Sequence, residues 1–398
     1  MGRLPQSSMA ALAIVLLVAA KTGSFTRAGL AVAVWTIGAG ISNGPKGRGL
    51  DRFGDRAVLP GTAVGFLACM SGMCVLPPAS GWFMAVTALA GITLPPIQSS
   101  IRALWGRLPT ESQRAAAYAA DATTQEISYM AGPAIAAGLA AWLGSWSALV
   151  GSGLLAVVGS VLLANAAGRL EHRERGASHR SGLWAALWPL LVAGFLLVAG
   201  LQIIELVVIA HARLEGHAAA SGVLISLWSL GSLIGGTVIG PSVSREGKNH
   251  LPVLVLATSA GFALLALAAG LYVLVVLLMV GGVAIAPTMA ALNARTARLV
   301  PKARAAEAFG WMGTAFLAGG AAGAALGGAT VEHLGVSAGY LAAAAITVPA
   351  ALFAMAGALK KPGENLVGQQ DRAGGDGEPS VTADQQPVVT EGRDPAAP

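Results

Sequence analysis

The sequence predicts an all-α integral membrane protein, with twelve transmembrane helices in two pseudo-symmetric six-helix bundles. Three observations carry that expectation. Only 11% of the residues are charged and 55% are hydrophobic, with a mean hydropathy of +0.67; a water-facing surface needs about 25% charged residues. The apolar residues fall in long continuous runs, and in lipid only helices and closed barrels satisfy their own backbone, so long runs select helices. Two blocks of residues then recur at nearly one offset, which divides the chain into related halves.

In chain order, a short run at Met9–Ala20 comes first, followed by runs near 27–45, 58–77, 81–104, 115–141 and 145–167. Six more lie near 183–210, 218–240, 251–270, 272–297, 304–329 and 336–359. All but the first approach or exceed the ~20 residues that cross a bilayer. Met9–Ala20 completes the twelve only as a short or tilted span. The polar segment 169–182 separates an N-terminal bundle, residues 1–168, from a C-terminal bundle, residues 183–360. Residues 361–398 form a tail rich in Gly, Pro, Gln and Asp. It has too few large apolar groups to fold alone and is expected to be a disordered cytoplasmic segment.

The net charge of +6 invites a nucleic-acid reading, but its distribution excludes one. Residues 363–398 hold two Arg against seven Asp or Glu, so the basic excess lies in the short segments between apolar runs. With the N-terminus placed in the cytoplasm, only Lys21, Arg27 and Arg213 fall on the opposite side. Lys and Arg favour the cytoplasmic side, so both termini are expected inside a plasma membrane. Cys69 and Cys74 share one apolar run and read as buried thiols. The six histidines have no metal-ligand spacing, no phosphate-cradling Gly-rich run exists, and no cofactor is expected. Abundant Ala, Gly and Arg suggest a bacterial chain.

The internal repeat is specific. Ala28-Gly29 with Trp35 and Gly38 recurs as Ser221-Gly222 with Trp228 and Gly231; Gly91, Pro96 and Arg107 recur as Gly282, Pro287 and Arg298. Gly132 then meets Gly323. Parallel repeats of this kind place a solute site between the halves near the middle of the membrane.

Between the second and third runs stands a short charged hairpin, Gly49-x-Asp51-Arg52-x-Gly54-x-Arg56. It resembles the loop signature of the major facilitator superfamily of secondary transporters, and the chain up to about residue 360 resembles that family's bacterial drug-efflux-like members. Asp55 stands where a second basic residue is commoner, and the second-half equivalent, Ser244–Lys248, has lost the pattern. The resemblance implies two bundles rocking around a central cavity, with Asp51 facing the N-terminal end of the eleventh helix near Arg304. A carboxylate there is favourable by ~0.3–1 kcal/mol when exposed, so making and breaking the contact would gate the two access states. Gly132-Pro133 in the fifth helix resembles the core of an antiporter motif, although a Pro kink with a close-approach Gly serves plain helix packing equally well.

Four polar residues within the runs are candidates for proton coupling or the substrate cavity. Glu126 lies about three turns into the fifth helix, ~18 Å from Arg114 at 1.5 Å per residue; a carboxylate at such depth costs ~2.5–3.5 kcal/mol. It is either a titrating site or a partner of a structural Arg or Tyr129. Asp121, nearer the cytoplasm, suits an interfacial role or a pair with Arg102. Gln202 and Glu205 in the seventh helix share one face by their i, i+3 spacing, with His211 and Arg213 as alternative partners for the carboxylate. Arg102 and Gln98 follow the Pro95-Pro96 break, and Arg102 is expected to act as a snorkelling anchor. The arginine often found earlier in the family's fourth helix is absent; Ala88, Leu89 and Ala90 stand there.

The expected protein is therefore a monomeric secondary transporter that exports a small amphipathic or cationic organic compound against a flow of protons. An importer or facilitator of a small metabolite is the alternative within transporters. A membrane-embedded enzyme would need a clustered catalytic constellation, which the sequence lacks, and a transport-dead sensor would fail in a vesicle assay.

One prediction concerns the first run. Arg3, the apolar stretch and Val18-Ala19-Ala20 resemble a cleavable signal peptide. At the repeat offset, however, the counterpart of Leu183 would lie ten residues before Met1, so cleavage would remove a helix that the second half retains. N-terminal sequencing of membrane-extracted protein should find no terminus at Lys21; finding one would break the six-plus-six architecture.

Overall fold

The computed structural model describes residues 2–170, 183–217, 220–239 and 250–356. The second-half loop Ser244–Lys248, the segment 171–182 and the tail 361–398 lie outside the described residues. Helices fill nearly all of what is described. A π-helical turn at Pro5–Met9 leads into α1 (Ala10–Thr22), followed by α2 (Phe25–Phe53) and α3 (Asp55–Val75). The fourth span is broken into α4 (Gly81–Thr93) and α5 (Ile97–Trp105), and α6 (Glu111–Leu143) and α7 (Ser145–Leu170) complete the first half. The second half contains α8 (Leu183–Leu214), α9 (Ser221–Val238) and α10 (Leu251–Leu264), the last extended by a 3-10 turn at Leu265–Leu267. Its broken span is α11 (Leu271–Gly282) with α12 (Ile285–Leu299); α13 (Ala305–Leu334) and α14 (Val336–Ala356) follow. These helices make the twelve spans of an all-α membrane fold.

Eight of the spans are long and apolar enough to cross a bilayer by composition alone. The first span and Leu251–Leu267 are shorter apolar helices. The first is nonetheless deep in the core: Met9, Ala10, Ala13, Ile14 and Val18 are fully buried among side chains of α2, α3, α4, α6 and α7. A helix that makes its contacts on several sides can be uniformly apolar, and α1 is.

The charged hairpin of the second-to-third connection is shorter than the sequence suggests. Residues 49–53 remain helical in α2, α3 begins at Asp55, and the reversal is made at Gly54 alone (φ 91°). A left-handed φ at a single linking residue costs an L side chain steric strain and glycine none. Gly144 and Gly335 make the same one-residue reversal between α6 and α7 and between α13 and α14.

The repeat appears as two matching crossings. A Cβ on Gly91 would lie 2.1 Å from the Trp35 carbonyl oxygen, and one on Gly282 would lie 2.5 Å from that of Trp228. Gly38 and Gly231 approach the Ala88 and Met279 carbonyls in the same way. The residues that recur in sequence are thus those at which α2 crosses α4 and α9 crosses α11, backbone against backbone. Close approach of this kind is what small residues supply where lipid offers no hydrophobic drive.

The breaks in the fourth and tenth spans also correspond. Pro95 and Pro96 remove two backbone donors, and side chains from neighbouring spans take up the exposed carbonyls. Lys46 Nζ donates to Leu94 O at 2.8 Å, and Gln6 Nε2 donates to Pro95 O.

Gly91→Ala and Gly282→Ala should each destabilise the protein by about 1–3 kcal/mol through overpacking. Gly328, with nothing within 4 Å of its added Cβ, is the control. Thermal unfolding in detergent should show lower midpoints for the first two variants and none for Gly328→Ala.

Candidate functional site

Helix α13 begins without a cap of its own: Arg304 is the N-cap residue and its side chain accepts nothing. The first N–H groups of a helix have no intrahelical partner. Here Asp51 supplies one from the other half of the molecule. Its Oδ1 accepts the Ala306 N–H at 3.2 Å and its Oδ2 accepts the Glu307 N–H at 2.8 Å. A carboxylate cap in this position contributes about 0.5–2 kcal/mol, with the helix dipole adding to it. Burial pushes the Asp51 carboxyl up to about 7, against the downward pull of the Glu307 and Ala306 N–H groups and the Arg107 guanidinium.

Glu307 extends the junction. Its Oε1 accepts from Arg48 of α2 at 2.8 and 3.2 Å, and its Oε2 accepts from Arg304 at 2.8 and 3.0 Å. Glu307 is 2% exposed, whereas the Arg48 side chain is half-exposed. One carboxylate thereby joins an arginine from each half.

Below these charges the two helices touch directly. A Cβ on Gly47 would lie 2.2 Å from Ala306 O, and one on Gly310 would lie 2.3 Å from Asn43 O. Thr314 Oγ1 donates to Gly40 O at 2.6 Å. From Asp51 to Gly40 the contact runs about 16 Å at 1.5 Å per residue, roughly half the thickness of a bilayer core. Further along, α13 changes partner: Gly319, Gly323 and Gly327 press on Phe195, Ala199 and Ile203 of α8.

Of the remaining signature residues, Gly49 and Arg52 lie on the last turns of α2, Gly54 makes the turn, and Arg56 opens α3. Asp55 is buried and accepts from Ser100 Oγ of α5 at 2.6 Å, so the acidic residue found where a basic one is commoner ties α3 to α5.

Gln202 and Glu205 do share a face of α8, and Gln202 Nε2 donates to Glu205 Oε2 at 3.0 Å. His211 does not hold this carboxylate; its Nδ1 pairs with Tyr340 Oη at 3.1 Å. Asp121 is buried between two guanidiniums, with Arg102 Nε at 3.1 Å and Arg3 Nη2 on its other oxygen. Arg102 is therefore not a snorkelling anchor. It is 7% exposed, and its backbone oxygen accepts from Tyr118 Oη at 2.9 Å. A carboxylate within reach of the α5 guanidinium removes the need to reach for water. Glu126 lies on α6 one residue past Gln125, which accepts from Gln98; the Glu126 side chain lies outside the described set. Gly132 and Pro133 are within α6. Sequence reasoning missed Glu307 and Arg48 as a pair. The available signal was an acidic residue in the first turn of a helix, three residues after Arg304.

Two related six-helix halves, meeting along a charged and glycine-lined seam on one side of the membrane, define a secondary transporter. The chain belongs to the Major Facilitator Superfamily, whose family profile matches residues 6–258 and 190–389. A search of curated proteins found no significant match. Similar solved structures include a bacterial homologue of the iron transporter ferroportin in its outward-facing state. It is 16% identical, with a TM-score of 0.72, covering 90% of this chain and 98% of that one. The E. coli fucose:proton symporter is 15% identical with a TM-score of 0.66, covering 90% and 98%. The human organic anion transporter is 14% identical with a TM-score of 0.66, covering 88% and 99%. At these identities the likeness is one of fold.

Glu307→Gln should loosen the seam by about 1–3 kcal/mol, since two guanidiniums lose a charged acceptor. Spin labels placed on α2 and α13 should report a larger share of separated distances, with an unchanged distance distribution counting against the junction.

Proposed function

We propose that the protein is a proton-coupled exporter of small amphipathic organic compounds, working by alternating access in the plasma membrane with both termini cytoplasmic. The observation that carries this reading is the Asp51 carboxylate capping α13 across the two halves. A contact made of a helix end, four charged side chains and a glycine seam can form and part as a unit. Rocking of the halves then alternates the side from which the cavity opens. Asp51 and Arg52 are the gating residues of this scheme, and the Gly49–Arg56 run fixes where they stand.

In the cytoplasm-in orientation the seam lies on the cytoplasmic side, so the arrangement described is sealed towards the cytoplasm. Glu205 and Glu126 are the proton-coupling candidates. Glu205 lies in the outer part of α8 with the neutral Gln202 as its hydrogen-bond partner; a carboxylate with such a partner can exchange protons without breaking an ion pair. Asp121, between two arginines, holds the N-terminal bundle together in this scheme. The organic anion, sugar and iron carriers of similar fold span unlike solutes, so the substrate class rests on this chain's own cavity. One or two carboxylates among aliphatic and aromatic walls suit an amphipathic or cationic compound.

Flux of labelled compounds into inverted vesicles tests the proposal. Wild-type protein should accumulate an amphipathic cation when the vesicle interior is acidic. Glu126→Gln or Glu205→Gln should reduce that accumulation at least ~10-fold, as expected for loss of a general proton carrier, while substrate binding persists. Asp51→Asn should insert normally and transport slowly. Accumulation with unchanged pH dependence in both Glu variants would overturn the coupling scheme, and uptake in the reverse direction would make the protein an importer.

A further inference from the structure

The N-terminal half contains a cavity of about 350 Å³, away from the seam. It lies between α5, α6 and α7 and is closed on one side by the start of the chain, with Gly2 and Arg3 among its lining residues. Its other walls include Ile101 and Trp105 of α5, Thr124 of α6 and Leu162 of α7. Leu162 is 59% exposed, so the cavity adjoins the outer surface of the bundle, which faces lipid.

Depth follows from helix length. Leu162 is 17 residues along α7 from Ser145, about 26 Å at 1.5 Å per residue. Since Ser145 starts at the opposite membrane surface, the cavity stands near the headgroup boundary of the leaflet on the Asp51 side.

The one carboxylate that lines the cavity, Asp121, is already committed to guanidiniums on both oxygens. Arg3 is 6% exposed, and although its Nη groups bond Asp121, its Nε has no partner. The indole Nε1 of Trp105 is buried and has none either. Buried donors without acceptors are costly and uncommon in a folded protein. In the lining Arg3 and Asp121 balance, and Arg102, behind the lining on the other oxygen of Asp121, leaves the cluster as a whole with one positive charge in excess. Two free N–H donors and a surplus cation call for an anion with several oxygens.

We propose that this cavity binds the phosphate group of an anionic phospholipid, with Arg3 Nε and Trp105 Nε1 as donors and the acyl chains lying over Leu162. Basic pockets between transmembrane helices at headgroup depth have this ligand chemistry. A free phosphate shares the chemistry but lacks the tails, and the apolar walls favour the lipid. Binding would also anchor the start of the chain to α5 and α7 through one shared ligand.

The test uses the full-length protein in detergent, titrated with phosphatidylglycerol or phosphatidylcholine and read by native mass spectrometry. Phosphatidylglycerol should bind about tenfold more tightly. Trp105→Phe removes one N–H to the phosphate while keeping the ring, and should weaken phosphatidylglycerol binding several-fold without altering the fold. Arg3→Gln removes the charge and should erase most of the preference for phosphatidylglycerol, and Trp105→Phe keeps the test decisive if Arg3→Gln proves unstable. Displacement of the lipid by millimolar inorganic phosphate would assign the same donors to a free anion. Equal retention of both lipids by the wild-type protein, or unchanged phosphatidylglycerol binding in Trp105→Phe, would overturn the proposal.

Discussion

The arrangement of the two halves depends on one helix that cannot satisfy its own first turn. Helix α13 starts with bare N–H groups, and the carboxylate that accepts them belongs to α2 in the other half. Within one bundle, such a cap would stabilise a helix and do nothing more. Placed across the seam, the same one or two kilocalories tie one half of the molecule to the other. Glu307 reinforces it by holding Arg48 and Arg304 together.

The glycines serve the same tie by another route. Where α2 meets α13, the backbones are close enough that a methyl group would collide with a carbonyl. Dispersion over such a flat contact falls off steeply with separation, so the seam is either closed or open, with little between. The crossings of α2 with α4 and of α9 with α11 use the same device inside each half. There it brings helices of the same half backbone against backbone.

The sequence was most informative where physics repeats. Helix number followed from apolar runs, and the offset between Trp35 and Trp228 or Gly91 and Gly282 marked the very residues at the crossings. The Asp51 signature could be read as a motif, because the run Gly49–Arg56 resembles a family loop whose carboxylate faces a helix start. What stayed hidden were contacts between residues far apart in sequence. Arg48 looked like one of many positive charges, and Glu307 sits 259 residues away from it. Arg102 resembled an anchor because its position along α5 was legible while the guanidinium's neighbours, Asp121 and Arg3, were not. Arg3 itself belongs to a stretch too short and too mixed to show which side of the helix meets α6.

The one-residue reversals at Gly54, Gly144 and Gly335 constrain how the chain is made. A single residue spans at most ~3.6 Å, about a tenth of the hydrocarbon thickness. Once α2 is in place, α3 therefore cannot wait outside the bilayer for a later step; the same holds for α7 after α6 and for α14 after α13. Each pair therefore ends as one antiparallel unit whose two members are held side by side by the turn itself, so neither can shift along the membrane normal without carrying the other.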